Sequence, residues 1–382
     1  MSPSVNIAVV GLGFGEDFLP IYAAHPDVGA IGIVDPSEAR LRDVGERHGI
    51  VDRYTSYEAM LADERWDAVH IVAPVAFHVD YSLKALRAGK HCACAVPMGL
   101  ENDELAAVVD AERVSGKRYM MMETSVYGRE YRYVARLLQE GRLGTLTAYR
   151  GFHIQNLDGY PAYWQGYPPM KYLTHALSPL LALTGATVRD VVCYGSSRLT
   201  TDRLGPFGNP FPVEVGLFRL SGSDVIGEIT MSFFQTARTY TEGFAVYGDA
   251  MSIEWPNEVD GPLTVHELLP LDPDQPDAGL RGRRSQTSRV EPADETDELP
   301  EQLRRFVRPY VLEAAAGGPA ITKLAEHGGS HPFLVHEFIS AAVEDRPAAI
   351  DAPTAAAWTA PGIIAHASAL VHGERVPVPA YR

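Results

Sequence analysis

Three glycines near the N-terminus, Gly11, Gly13 and Gly15, follow an apolar run and open a segment with a helical pattern. In dinucleotide-binding folds, such glycines permit a tight turn and let the backbone approach the pyrophosphate, which lies at the helix N-terminus. Phe14 lies inside the motif, and Glu16 stands where the usual pattern has its third glycine. The motif predicts a dinucleotide site, and a glycine turn in an unrelated α/β domain is the alternative.

Asp35 ends the second apolar run of the chain. An acid at this position binds ribose hydroxyls and repels a 2′-phosphate. We therefore expect NAD rather than NADP as the cofactor.

Four residues further along have side chains that are able to exchange protons: Glu123, His153, Tyr172 and His175. Tyr172 and His175 are three residues apart, so they share one face if they lie on a helix. His153 ends a predicted strand, and Glu123 ends a strand at the sheet edge where ligands bind in such folds. The alternatives are a packed or capping role for His175, a helix-start role for Glu123 and a solvent-facing position for His153.

Lys171 lies four residues before His175 and directly after Pro168, Pro169 and Met170. Proline suits the first turn of a helix, so the pattern predicts a helix from about Met170 with Lys171 in its first turn. A lysine there opposes the helix dipole, and together with free N–H groups it would form an anion site, which suggests an anionic substrate. Proton transfer at a hydroxyl and simple solvation of the lysine are the alternatives.

An aromatic cluster before the two prolines includes Tyr163 and Trp164, which could stack on sugar faces or pack in the core. His327 precedes two glycines and is a further candidate for substrate contact, while Ser330 is expected to cap the next helix. No group of His, Cys or Asp residues has the spacing of metal ligands, so no metal is expected.

The elements that must position these residues begin with short apolar runs that alternate with amphipathic segments. Buried strands separated by helices predict βαβ units and a parallel sheet, and hence an α/β Rossmann domain over residues 1–126. The predicted strands are Val5–Val10, Ile31–Val34, Asp67–Ala73, His91–Val96 and Tyr119–Met122, and the predicted helices are Pro36–His48, His78–Ala88 and Asn102–Ser115.

From about Tyr127 the pattern changes to one helix and then to longer segments that alternate with period two. Consecutive strands with short turns predict an α+β domain over residues 127–382, with a large, mostly antiparallel open sheet. Residues 256–309 are rich in Pro, Asp, Arg and Gln and are expected to form a long loop or arm. Two helices, about Pro332–Val343 and Pro353–Leu370, close the chain.

The composition limits the partners and the location of the protein. A net charge of −16 over 382 residues argues against nucleic acid or an anionic membrane as the main partner. Three cysteines do not make a disulfide framework, and neither a signal-like N-terminus nor an apolar run of ~18 residues is seen. A cytoplasmic protein is the expectation.

With these motifs the chain resembles the Gfo/Idh/MocA family of sugar and cyclitol oxidoreductases. Besides the glycine motif, the resemblance rests on Asp35, on A-P-x-x-x-H with Ala73, Pro74 and His78, and on A-G-K-H at Ala88–His91. It implies an NAD(P)-binding Rossmann domain and a C-terminal domain whose open sheet serves substrate binding and homo-oligomerisation, as a dimer or tetramer. Cofactor-binding roles then fall to the glycine loop with Phe14, to Asp35, and to Ala73, Pro74, His78, Val96 and Pro97.

Two departures from the family's dehydrogenases lie at catalytic positions. Where those dehydrogenases have Glu-Lys-Pro, this chain has Ala95, Val96 and Pro97. Where they have an aspartate four residues before the catalytic histidine, this chain has Lys171, four residues before His175.

A subgroup shares these departures. The stretches Met122–Glu130 and Tyr172–Pro179 are similar to NAD-dependent glycoside hydrolases of this fold, of the α-N-acetylgalactosaminidase and sulfoquinovosidase type. This resemblance implies site roles for Glu123, Tyr172 and His175, with His153 at the place of a second tyrosine.

The resemblance also implies a redox-neutral reaction. A sugar hydroxyl, typically at C3, loses hydride to the nicotinamide, a base removes the C2 proton, the aglycone leaves C1, water adds and the hydride returns. We expect such a hydrolase, with an anionic glycoside such as a sulfoquinovoside as a candidate substrate. A sugar or cyclitol dehydrogenase that releases NADH, and a non-catalytic NAD-binding sensor, are the alternatives.

Overall fold

The computed structural model describes residues 4–255, 261–271, 274, 282–313 and 319–381. The chain forms two compact units: the first comprises Met1–Tyr127, Glu295–Ile363 and Pro379–Arg382, and the second comprises Gly128–Asp294 and Ile364–Val378. In the part of the chain that the structure describes, no helix combines the length and the apolar character needed to cross a membrane.

A six-stranded parallel sheet forms the centre of the first unit within the described residues, with the strand order β3-β2-β1-β4-β5-β6. This arrangement confirms the predicted Rossmann domain. Its strands are β1 (Val5–Val10), β2 (Val28–Val34), β3 (Asp52–Tyr54), β4 (Ala68–Ile71), β5 (His91–Cys94) and β6 (Tyr119–Met121). Its helices are α1 (Leu19–Ala24), α2 (Glu38–His48), α3 (Tyr57–Leu61), α4 (His78–Arg87) and α5 (Asn102–Ser115).

Local sequence signals explain where these helices begin and end. The Ser37 side chain accepts the Arg40 N–H at the start of α2, and the helix ends at Gly49 in the left-handed conformation. A capping box between Glu101 and Glu104 opens α5. The strands are apolar because both faces of the parallel sheet are covered by helices.

The sequence assigned the whole chain after residue 126 to the second domain, whereas residues 295–363 belong to the first unit in the structure. Apolar side chains cause this difference, because those of the later segment share one core with the first helix of the Rossmann domain. This core includes Leu19, Ile21, Tyr22, Leu303, Phe306, Leu334 and Phe338.

Elements of this later segment are a 3₁₀ helix (Glu301–Val307), a two-stranded sheet of β15 (Tyr310–Leu312) and β16 (Ile321–Lys323), and the helices α8 (Glu326–Gly329), α9 (His331–Glu344) and α10 (Ala352–Leu370). Ser330 occupies the N-cap position of α9, but its side chain makes no capping hydrogen bond. The predicted cap is therefore not formed.

The second unit contains a sheet of nine described strands, ordered β14-β13-β12-β11-β7-β10-β9-β8-β17. Only the described β7–β10 pair is parallel, which confirms the expected mostly antiparallel sheet. The strands are β7 (Leu146–Ile154), β8 (Thr187–Ser196), β9 (Val213–Ser221), β10 (Ile226–Ser232), β11 (Thr241–Gly248), β12 (Met251–Trp255), β13 (Leu263–Leu268), β14 (Ser285–Val290) and β17 (Val376–Pro377). The helices are α6 (Arg129–Gln139) and α7 (Thr174–Thr184).

The expected long loop at 256–309 is not a single loop. It contains β13 and β14, which pair antiparallel at the edge of the large sheet, and the 3₁₀ helix Glu301–Val307. Leu263 and Val265 alternate inward on β13, whereas β14 is polar and largely exposed and so carries no alternating signal. Residues 256–260, 272–273 and 275–281 of the predicted loop lie outside the described residues.

One glycine sets the distance between α7 and the sheet. A side chain on Gly151 of β7 would collide with the Ala176 carbonyl oxygen of α7, and the same oxygen accepts a hydrogen bond from the Tyr149 hydroxyl at 2.7 Å. The helix can therefore lie directly on β7 at this point.

Candidate functional site

The glycine loop after β1 has the geometry that a dinucleotide needs. Gly11 has φ 88°, and a Cβ there would lie 2.7 Å from the Val72 carbonyl oxygen. A Cβ on Gly13 would meet nothing within 4 Å, so this backbone faces open space. At Gly15 a Cβ would lie 3.0 Å from Val9 Cγ1, so the chain packs closely on the strand there.

Glu16, at the place of the usual third glycine, has a role of its own. Its carboxylate pairs with Arg47, with His48 Nε2 at 3.1 Å and with Lys323 Nζ at 3.9 Å. The hydrogen bond with His48, reinforced by Arg47 and Lys323 and opposed by partial burial, lowers the pKa of Glu16 to about 2. Because Gly15 already allows the chain to pack closely on β1, position 16 does not need a glycine and can hold a glutamate that forms salt bridges.

Asp35 lies at the end of β2, and its buried carboxylate is held by backbone donors. It accepts the Leu12 N–H at 3.0 Å and the Ser37 N–H at 2.9 Å. The half-exposed Arg40 lies 3.4 Å away, and such a cation could also meet a 2′-phosphate. The discrimination against NADP therefore stays a prediction.

His78 connects the two loops to which cofactor contacts were assigned. Its Nδ1 lies 2.8 Å from the Pro97 carbonyl oxygen and its Nε2 lies 2.9 Å from that of Ala73. Burial alone lowers the pKa of His78, but Cys94 and the two carbonyls outweigh it and raise the pKa to about 9. A doubly protonated ring can donate to both carbonyls at once, so His78 ties the loops after β4 and β5 together. Pro74 and Val96 lie in these two loops.

Glu123 is fully buried just after β6, at the carboxyl edge of the parallel sheet. Its Oε1 accepts the Ser125 N–H at 2.9 Å and caps the 3₁₀ turn Thr124–Val126. The structure thus places Glu123 at the expected edge and gives it the helix-start contact that was the alternative.

His327 belongs to the first unit and groups with the glycine loop. Its ring lies 6.1 Å from that of Phe14 and 5.8 Å from that of His331. Its backbone is left-handed, with φ 49°. Phe14 also packs edge-on against His331 and Phe18.

In the second unit, three of the predicted site residues come together. The rings of His153 and His175 are 5.5 Å apart, and the Tyr172 ring lies 5.8 Å from His153 and 5.3 Å from His175. His153 on β7 is almost fully buried, which excludes the solvent-facing alternative. Tyr172 ends a 3₁₀ turn, and His175 lies in the first turn of α7.

The structure adds Glu242, which the sequence did not single out. Glu242 is buried on β11, directly opposite His153 in the register of β7 and β11. Its Oε2 lies 3.7 Å from His175 Nδ1 and accepts a hydrogen bond from the Tyr240 hydroxyl at 2.9 Å. The nitrogen and oxygen atoms that His153, His175 and Glu242 offer all lie within 4.8 Å of one another. Spacing along the chain cannot reveal this group, because strand pairing brings its members together. The expectation of no metal rested on that spacing and so did not consider this group.

The predicted aromatic contacts border this group. Trp164 packs edge-on against Tyr172, with ring centroids 5.6 Å apart, and Tyr163 beside it is exposed. Both lie on the 3₁₀ helix Ala162–Trp164.

The expected helix at Met170 is a short 3₁₀ turn, Pro169–Tyr172, and α7 begins at Thr174. The Met170 N–H is already bound by Glu214 Oε2 at 2.8 Å, and Glu214 Oε1 lies 2.8 Å from His366 Nδ1. The predicted helix start at Met170 is therefore wrong, and an anion site at Lys171 stays a prediction. Lys171 itself is half-buried, next to Tyr172.

The first unit is thus a dinucleotide-binding Rossmann domain with an acid-ended second strand. Residues 5–123 match the sequence model described as an oxidoreductase family with an NAD-binding Rossmann fold. This match agrees with the resemblance of the N-terminal domain to the Gfo/Idh/MocA oxidoreductases and confirms the NAD-type cofactor expected from the sequence.

Curated relatives include dehydrogenases and glycosidases. D-xylose 1-dehydrogenase (NADP(+)) 2 of Haloferax volcanii is 35% identical over 121 residues, which are 32% of this chain and 36% of the relative. A glycosyl hydrolase family 109 protein of Streptomyces niveus is 27% identical over 187 residues, which are 45% of this chain and 37% of the relative. The chain spans only about two fifths of the length of such relatives.

Solved structures share the fold of the whole chain. Levoglucosan dehydrogenase in complex with NADH and levoglucosan has a TM-score of 0.76 and 19% identity, and the match covers 98% of this chain and 100% of that chain. At this identity the likeness concerns the fold.

The glycine loop can be tested with two substitutions. Gly13→Ala should leave the thermal midpoint unchanged, because the methyl group meets nothing, but weaken NAD binding at least about tenfold by blocking the pyrophosphate. Gly11→Ala should instead lower the thermal midpoint. The new Cβ would disfavour the positive φ of residue 11 and would collide with the Val72 carbonyl oxygen. Calorimetric NAD titration and thermal unfolding measure both effects. If Gly13→Ala binds NAD as tightly as the parent does, the pyrophosphate does not lie against Gly13.

Proposed function

We propose that the protein is an NAD-dependent glycoside hydrolase with a redox-neutral mechanism. The observation that carries this proposal is the buried group of His153, His175 and Glu242, with Tyr172 against it. Acid–base side chains in such a setting suit proton transfers at a sugar hydroxyl and at the neighbouring carbon. The glycosidase-named relatives add support, although they match less than half of their own length.

The proposed reaction divides the work between cofactor and protein. Bound NAD would supply hydride transfer, from a sugar carbon at the start and back to it after water has added at C1. His175 and Tyr172 would handle the hydroxyl proton, and Glu242 would orient His175 through its Nδ1. The ketone so formed acidifies the adjacent C–H, and loss of that proton expels the aglycone. Glu123 would be a candidate for the leaving-group proton.

A sugar dehydrogenase is the second candidate, because dehydrogenases occur among the relatives as well. The two functions differ in their products. Aryl glycosides and free sugars, each incubated with and without NAD, separate them: a hydrolase releases aglycone without net NADH, whereas a dehydrogenase forms NADH in proportion to the product. Bound NAD with neither product would indicate a sensor.

His175→Ala and Tyr172→Phe should each lower aglycone release about 10²–10⁴-fold while NAD stays bound, because general acid–base groups contribute that much. Tyr133→Phe, at a partly exposed position on α6, serves as the control and should keep parental activity. Deuterium from solvent should appear at C2 of the sugar. Activity of His175→Ala within a few-fold of the parent would contradict the assignment.

We also propose an anionic glycoside, such as a sulfoquinovoside, as the substrate. The support that remains is the charge of Lys171, four residues before His175. Lys171→Ala should lower kcat/KM for an anionic glycoside about 10–100-fold, the usual weight of a charged hydrogen bond, and spare its neutral counterpart. Lys171→Arg, which keeps the charge, should retain much of the preference. Equal losses on both substrates would favour a role in proton transfer, and no loss would leave a solvated lysine.

The open face of the large sheet supports a homo-oligomer. Tyr194, Val215 and Leu217 are exposed on the neighbouring strands β8 and β9. An apolar patch of this kind is typical of a contact with a second copy, and the mass in solution measures it.

A further inference from the structure

We propose that His153, His175 and Glu242 bind one divalent transition-metal ion, of the kind that imidazole and carboxylate ligands select, such as zinc. The three residues come from three rigid elements. His153 lies on β7, Glu242 on β11 and His175 in the first turn of α7. All three residues lie outside residues 5–123, the part of the chain that matches the family model.

The geometry is close to that of a bound cation. Zinc lies about 2.0–2.1 Å from its nitrogen and oxygen ligands, so tetrahedral ligand atoms lie roughly 3.3–3.5 Å apart. His175 Nδ1 and Glu242 Oε2 are 3.7 Å apart, and all three ligand atoms lie within 4.8 Å of one another. Side-chain rotations that bring the more distant ligand atoms about 1.4 Å closer together, from 4.8 Å to about 3.4 Å, would close the site.

The surroundings match those of metal ligands in proteins. All three side chains are at least nine-tenths buried. Buried charges in proteins are paired or coordinate metal ions, and a divalent cation shared with two neutral imidazoles would be one such partner for Glu242. Ligand carboxylates are usually hydrogen-bonded in turn, and the Tyr240 hydroxyl donates to Glu242 Oε2 at 2.9 Å.

Three protein ligands leave a position for a substrate oxygen, as in catalytic metal sites. If the proposed glycosidase function holds, on which this step rests, the cation would polarise the sugar oxygen at the oxidised carbon. The adjacent C–H would then lose its proton more easily. With the ion bound, His175 and Glu242 would act as ligands, and Tyr172 alone would handle the hydroxyl proton.

The test measures metal binding itself. Untagged protein is stripped with a chelator and titrated with Zn²⁺ by calorimetry and with Co²⁺ by visible absorption. We expect one ion per chain and cobalt bands of a four- or five-coordinate site. His153→Ala and Glu242→Gln should each lower the affinity at least ~100-fold, and bound NAD with an unchanged thermal midpoint would show that the variants fold.

His266→Ala is the matched control. His266 Nε2 also lies 3.7 Å from a carboxylate oxygen, that of Glu254, but this pair is partly exposed and is not part of any group of three potential ligands in the described residues. The control should bind metal as the parent does. If the parent binds no ion at millimolar concentration, or the control loses as much affinity as Glu242→Gln, the proposed site is refuted.

Failure of the two proposals can be told apart. Metal binding without aglycone release would refute the glycosidase and keep the site. Undiminished aglycone release by metal-free enzyme that takes up no ion would refute the site and keep the glycosidase.

Discussion

The contact between α7 and β7 at Gly151 is the constraint on which the site of the second unit depends. Because position 151 has no Cβ, the Ala176 carbonyl lies against the strand and is held there by Tyr149. His175, one residue earlier, is thereby placed 5.5 Å from His153 on the same strand. A larger residue at 151 would lift the helix and separate the two rings.

The register of β7 and β11 is the second half of this constraint. It sets Glu242 opposite His153, and a slip by one residue would turn the carboxylate to the other face of the sheet. Glu214 fixes the approach from the other side, because its Oε2 binds the Met170 N–H and so orients the turn that carries Tyr172. The site is therefore built from strands and helix starts that are held by buried contacts.

Much of this fold could be read from the sequence where the patterns are local. Val5–Val10 and Asn102–Ser115 have the predicted bounds, since apolar periodicity and caps define them. β3 is three polar residues long and β14 is exposed, so neither has a periodic signal. The site divides in the same way. Tyr172 and His175 lie in one motif and His153 ends a predicted strand, whereas Glu242 joins them only through strand pairing, which spacing along the chain does not encode.

Glu214 and Glu242, two buried glutamates of the large sheet, differ in the distance to their imidazole partners. Glu214 has fixed partners at 2.8 Å, a backbone N–H and an imidazole, as expected of a structural group. Glu242 has the Tyr240 hydroxyl at 2.9 Å, but its imidazole lies 3.7 Å away, too far for a hydrogen bond. The 3.7 Å separation is only slightly longer than the roughly 3.3–3.5 Å between two ligand atoms on one tetrahedral ion, and it is this near match that distinguishes Glu242 from Glu214.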